Sequence, residues 1–101
     1  MLHITKKHIG DHLTVILQGR LDRNAAPELE EKLLKSLDGV NKLTFDFSEL
    51  EYISSAGLRV LLAAQKIMKK DNAVVIKGAS TEIKDIFNVT GFSKILTISW
   101  I

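Results

Sequence analysis

A mixed, largely parallel β-sheet covered by helices, with elements in the order β β α β α β α β, is the α/β fold that this sequence predicts. Three observations carry that expectation. The chain opens on two β-branched, apolar-rich runs separated by Gly10-Asp11, which is a hairpin signature. Strand-like and helix-like hydrophobic periods then alternate along the rest of the chain. One later run, Ala73 to Ile76, is apolar at every position, as suits an interior strand buried on both faces.

Each element has its own justification. Residues 2 to 6 and 12 to 19 are the paired opening strands. From Asn24, with Pro27 at the helix entrance, a helical period takes over. Ala26, Leu29, Leu33, Leu34 and Leu37 share one face, Glu28, Glu31, Lys32 and Lys35 another, and Gly39 ends the helix. Leu43, Phe45 and Phe47 alternate with Lys42, Thr44 and Asp46, which predicts a strand to about residue 47 and then a loop over 48–54. From Ser55 to Lys70, Leu58, Val60 to Ala64, Ile67 and Met68 cover most of a helix circumference, so a largely buried helix is expected, with Arg59, Lys66 and Lys70 as its polar stripe. Ala73 to Ile76 follows and is closed by Lys77-Gly78. Ser80 is placed to cap a third helix, whose apolar face holds Ile83, Ile86 and Phe87 and whose natural stop is Gly91. Ile95, Leu96 and Ile98 make the last strand. Trp100 and Ile101 beyond it are expected to tuck against the sheet rather than to leave an apolar patch.

Composition bounds the function. At 101 residues, with 46% hydrophobic and 26% charged side chains, the chain has the size and make-up of one soluble domain over residues 1–101 rather than of a disordered tract. Fourteen Lys plus Arg against twelve Asp plus Glu leave a net charge of +2, too even a balance for the clustered cations of a nucleic-acid binder. No cysteine is present, which removes disulfides, thiolate metal sites and a Cys nucleophile and fits a reducing, cytoplasmic setting. Charged and histidine residues interrupt the first twenty positions, and nowhere is there an apolar run near the ~18 residues of a membrane span. No P-loop or other cofactor motif occurs, so no cofactor is expected.

The informative stretch runs from Asp46 through Ser54-Ser55-Ala56-Gly57-Leu58. Here the chain leaves a strand and delivers two serines to the N-terminus of the most buried helix, where free N–H groups and the positive end of the helix dipole suit an anion or a phosphoryl group. Equally, either serine is a natural N-cap, a role worth about 1 kcal/mol. Asp46 is expected to accept backbone N–H bonds and hold the following loop in shape. Gly57 permits close approach of another backbone or of a partner, and packing alone would also explain it. Ser48 and Glu51 have capping-box spacing, but no helical period follows them.

The segment Leu43 to Leu62, with Asp46-Phe47-Ser48 and Ile53-Ser54-Ser55-Ala56-Gly57-Leu58, resembles the signature of the STAS domain family, named for sulfate transporters and anti-sigma factor antagonists. Gly19-Arg20-Leu21-Asp22 before the first helix and the element order match as well, so the resemblance covers nearly the whole chain. It implies an anti-sigma factor antagonist: a protein that binds a serine-kinase anti-sigma factor, releases a sigma factor, is switched off by phosphorylation and is reset by a phosphatase. Carried over, the phosphorylated serine falls on Ser55, and the docking surface comprises Asp22, Ser54, Ser55, Ala56, Gly57 and Arg59. Ser54 stands where regulatory members often have Asp, and Ala56 where they often have Ser or Thr. The alternative implied by the same family is a non-phosphorylated adaptor subunit of a lipid-transport or signalling complex. Asp22, where the family carries a partner-contacting acid, equally suits loop and cap chemistry with Asn24.

Other chemistries find little support. A serine nucleophile at Ser55 would need a base, and neither a suitably placed histidine nor a G-x-S-x-G elbow is present, so no catalytic residue is assigned. His3, His8 and His12 read as solvated strand-end histidines and not as a metal site. Neither nucleic acid nor a membrane is an expected partner, and a weak homodimer is compatible with the C-terminal edge.

Overall fold

The N-terminal hairpin forms and runs further than its sequence signature, because the ladder between its two strands continues through exposed residues right up to the Gly10-Asp11 turn. In a computed structural model that describes residues 2–68 and 73–92 and the backbone of 98–100, β1 (Leu2–Ile9) pairs antiparallel with β2 (His12–Leu21) around Gly10-Asp11. Three further strands join in sequence order: β3 (Lys42–Ile53), β4 (Val74–Lys77) and β5 (Ile98–Trp100), each parallel to its predecessor. Between them lie α1 (Ala26–Ser36), α2 (Ser55–Met68) and α3 (Thr81–Thr90). The mixed sheet and the expected order β β α β α β α β are both present.

Strands added one after another on the same side, with crossovers of one hand, put the helices on a single face of the sheet. That face carries Leu13, Val15 and Leu17 from β2, Leu43, Phe45 and Phe47 from β3, and Val74 and Ile76 from β4, all essentially buried. The opposite face is more polar: Thr14, Thr44, Asp46 and Lys77 alternate with the core residues. There the half-buried His12 Nε2 lies 2.8 Å from the hydroxyl of buried Thr44, so His12 is tied into the sheet and is not the solvated side chain expected of it.

The expected loop over 48–54 is instead a continuation of β3. Gln18 pairs with Glu49, Gly19 with Leu50, Arg20 with Tyr52 and Leu21 with Ile53, and register shifts between Ile16 and Gln18 and between Gly19 and Arg20 each leave one extra residue on β3. Those bulges spoil the period of two, so the buried residues fall at Phe47, Leu50 and Ile53 and look like no regular element. Gly19, at φ +102°, supplies the left-handed backbone at the second shift. Side chains reinforce the extension: Gln18 Nε2 donates to Glu49, and the Arg20 guanidinium lies 4.5 Å from the Tyr52 ring centre.

The helices follow their apolar faces with two exceptions. Leu34 on α1 is 41% exposed and Ile67 on α2 48%, because α2 rests on β3 and β4 and flanks α1, leaving its outer side and the far end of α1 in solvent. The third helix is capped as expected, with Ser80 Oγ accepting from Ile83 N at 3.2 Å and Gly91 in the left-handed region. Lys70, Ile95, Leu96 and the packing of Trp100 and Ile101 lie outside the described residues and side chains.

Gly57 packs closely against the ends of β2 and β3. A Cβ at that position would stand 2.7 Å from Leu21 Cγ and 2.9 Å from Ile53 Cγ1. We expect Gly57→Ala to push α2 off the ends of β2 and β3 and to cost about 1–3 kcal/mol, read as a lower urea midpoint with an unchanged m-value.

Candidate functional site

The carboxyl ends of β2 and β3 lie side by side, and each feeds a helix. At the end of β3, Ser54 makes three hydrogen bonds that fix the entrance to α2. Its N–H donates to Leu21 O at 2.9 Å, its carbonyl accepts from Leu58 N at 3.0 Å, and its hydroxyl accepts from Gly57 N at 3.2 Å. Of the two serines, Ser54 is therefore the N-cap. Ser55 is the first helical residue, exposed, and its hydroxyl has no hydrogen-bond partner among the described residues.

At the end of β2, Asp22 performs the corresponding task for α1. Its Oδ1 accepts from Asn24 N at 3.1 Å and from Ala25 N at 2.9 Å, while its carbonyl accepts from Ala26 N at 3.0 Å. The loop part of the role weighed for Asp22 is thus present, with the acceptor on Asp22 and the backbone N–H on Asn24, whereas the N-cap of α1 is Ala25, which has no side-chain cap. Asp22 also lines a groove of about 390 Å³ with Leu2, His3, Asn24, Ala25 and Glu28. The hydrogen bond that Ser54 N–H donates to the Leu21 carbonyl joins the Asp22 turn directly to the Ser54 cap.

Ala56 and Arg59, one half-buried and one exposed, line a second groove of about 300 Å³ between α1 and α2. Its remaining walls are Arg23, Ala26, Pro27, Glu30 and Val60. Of the six residues expected on a docking surface, Asp22, Ser54, Ser55, Ala56 and Arg59 cluster around this corner of the molecule. Gly57 does not belong to the surface: it is buried and faces Leu21 and Ile53, so its lack of a side chain serves packing within the chain. Sequence reasoning missed Arg23 and Glu30, whose place in the groove depends on how α1 leans on α2.

Asp46 accepts from the Ser48 hydroxyl at 2.6 Å and from Ser48 N at 3.0 Å, and Lys77 Nζ stands 4.0 Å away. Burial raises its pKa, but the two Ser48 hydrogen bonds and the charges of Lys77 and Lys7 outweigh it and hold the carboxyl below its ordinary 3.8. It shapes a bulge within β3 rather than a loop. Gly78, just past β4, closes over the same bend, with a Cβ there reaching 2.9 Å from Ser48 Cβ.

The histidines cannot serve Ser55 as a group. His8, opposite Leu13, and His12, opposite Ile9, lie near the start of β2, at the other end of the strand pair from Ile53, while His3 lines the Asp22 groove. Among the described residues no cluster of three or more His, Asp or Glu side chains could hold a metal ion. No helix among them is long and apolar enough to cross a membrane.

A family model described as "Mlab, STAS domain" matches residues 4–97. BtrV of Bordetella bronchiseptica is 31% identical over 97% of this chain and 86% of its own length. The anti-sigma-B factor antagonist of Listeria monocytogenes is 30% identical over 92% and 83%, and that of Bacillus subtilis 26% over 97% and 91%. Among solved structures, an anti-sigma factor antagonist from Mycobacterium paratuberculosis superposes with a TM-score of 0.83 over 98% of this chain and 86% of that one, at 21% identity. Unphosphorylated SpoIIAA does so with 0.70 over 85% and 82%, at 16% identity. Both share the fold.

The two serines should separate in stability measurements. Ser54→Ala removes a cap and is expected to cost about 1 kcal/mol, whereas Ser55→Ala should stay within about 0.5 kcal/mol of the parent in urea titrations. Asp46→Asn is expected to cost about 1 kcal/mol at neutral pH. Because the folded carboxyl titrates below its ordinary value, its contribution is present above that value and disappears as pH falls through the lowered one. The stability gap between the parent and Asp46→Asn should therefore close in strong acid, as followed by unfolding at stepped pH.

Proposed function

This chain belongs to the STAS domain family, and from that premise we propose that it is an anti-sigma factor antagonist switched off by phosphorylation of Ser55. It docks on an anti-sigma factor that is itself a serine kinase, through the corner built by Asp22, Ser54, Ser55, Ala56 and Arg59, and so frees a sigma factor in the cytoplasm. The observation that carries this reading is the split between the serines: Ser54 is spent on the cap, and Ser55 presents an unengaged, exposed hydroxyl one residue on. A hydroxyl in that position is open to a visiting kinase without any unfolding of α2.

The chain acts as the acceptor and supplies no catalysis. Ser55 Oγ forms a bond to the γ-phosphorus of ATP as the bond to the ADP oxygen breaks, and the hydroxyl proton passes to a base on the kinase. A phosphatase reverses the modification with water, returning the hydroxyl and inorganic phosphate. The new group brings about −1.5 to −2 charges. The α2 dipole offsets only about 0.3–1 kcal/mol of its cost, while placing or desolvating the charge in a close interface costs several kcal/mol. The interface penalty prevails, and at roughly 3 kcal/mol it weakens docking about a hundredfold.

Ala56, where regulatory members often carry Ser or Thr, favours a second reading: an adaptor subunit of a lipid-transport or signalling complex that is never phosphorylated. Incubation with the cognate kinase and ATP, followed by peptide mass spectrometry, separates the two. The switch predicts one phosphate on the peptide containing Ser55 and none in Ser55→Ala. Phosphate elsewhere or nowhere, together with a stable complex indifferent to Ser55→Asp, selects the adaptor.

A further inference from the structure

Ser55 and Arg59 stand four residues apart on α2, so their side chains share one face of the helix. Both residues are exposed. Arg59 also walls the groove between α1 and α2, and Arg23, from the turn after β2, walls it too. Neither guanidinium is in a salt bridge among the described residues, where the ion pairs are Lys32–Glu28, Lys35–Glu31 and Lys77–Asp46. Glu30 is the one acidic side chain lining that groove, which leaves two cations against one anion along a groove whose wall includes Ala56, the residue that follows Ser55.

We infer that Arg59, joined by Arg23 across the groove, is the built-in counter-charge for a phosphate on Ser55 and draws it over the groove. The inference rests on the reading of Ser55 as the phosphorylated residue. A phosphoserine dianion offers three acceptor oxygens, and a guanidinium offers paired N–H donors that match two of them. Once the phosphate is held there, the groove floor at Ala26, Pro27, Ala56 and Val60 is covered by the chain's own side chains. The modified protein then loses a docking surface as well as gaining a repelling charge. Arg23 and Arg59 are positioning residues in this arrangement: they place the phosphate and take no part in its transfer.

The test uses the full chain with phosphoserine introduced at position 55 during translation, so that it does not depend on any kinase. The second pKa of the phosphate is followed by phosphorus NMR across a pH titration, with Arg59→Gln, Arg23→Gln/Arg59→Gln and Arg59→Lys alongside. The start of α2 is common to all four proteins and drops out of the comparison. A pairing arginine favours the dianion, so the phosphate should titrate lower in the parent. Arg59→Gln should raise the value by about 0.5, a roughly threefold change in proton affinity. The double variant should raise it further, and Arg59→Lys should recover part of the difference. Equal titration of the parent and the double variant overturns the inference, and it does so whether or not a kinase modifies Ser55. Conversely, a kinase that ignores Ser55 would defeat the switch while leaving this titration as it stands.

Discussion

One residue, Ser54, joins the sheet to the helix at the candidate docking corner, and the arrangement there depends on its three hydrogen bonds. Its N–H reaches back to Leu21 at the end of β2, and its carbonyl and hydroxyl receive Leu58 and Gly57 N–H at the start of α2. A buried backbone group left without a partner costs about 1–3 kcal/mol, so each of these bonds resists slippage of α2 along the sheet. Gly57 seals the same junction sterically, since α2 can come close enough to Leu21 and Ile53 only where no Cβ intervenes. With the junction held by Ser54 and Gly57, the Ser55 hydroxyl takes no part in its hydrogen bonds.

That division of labour allows a change of charge to act at a surface without disturbing a fold. The core beneath α2 is closed by Leu58, Leu61 and Ala64, each fully buried, and none depends on the Ser55 side chain. A domain of this size is stable by only about 5–15 kcal/mol, so a switch that had to break and remake core packing would put folding itself at risk. A group added to an exposed hydroxyl avoids that risk and still changes what a partner meets. Arg23, Glu30 and Arg59 make the groove that Ala56 borders mixed in charge, so it differs from a plain apolar docking patch.

Much of the fold was legible because α/β order is written in two distinct periods. The alternation at Leu43, Phe45 and Phe47, the apolar run Val74 to Ile76 in β4, the Ser80 cap and the Gly91 stop each correspond to one local physical rule and appear where that rule places them. The stretch from Ser48 to Ile53 was not legible, since its strand identity comes from pairing with β2 across two bulges and its own hydrophobic spacing is neither two nor 3.6. Leu34 and Ile67 misled for a related reason: an apolar position on a helix face says nothing about where the neighbouring helix ends. At the candidate docking corner the pair of serines stood out in the sequence, but which of them caps the helix is decided by the backbone hydrogen bond from Ser54 to Leu21, a long-range contact. His12 and Arg23 likewise acquire their roles from strands and helices distant in sequence.

Calorimetric titration of the cognate anti-sigma factor into the full chain in two forms, unmodified and stoichiometrically phosphorylated at Ser55, tests the proposed switch most directly. The switch predicts tight binding of the unmodified chain and about hundredfold weaker binding of the phosphorylated one, with both forms showing the same far-ultraviolet circular dichroism. Equal affinity of the two forms, with the phosphate verified on Ser55, would contradict it.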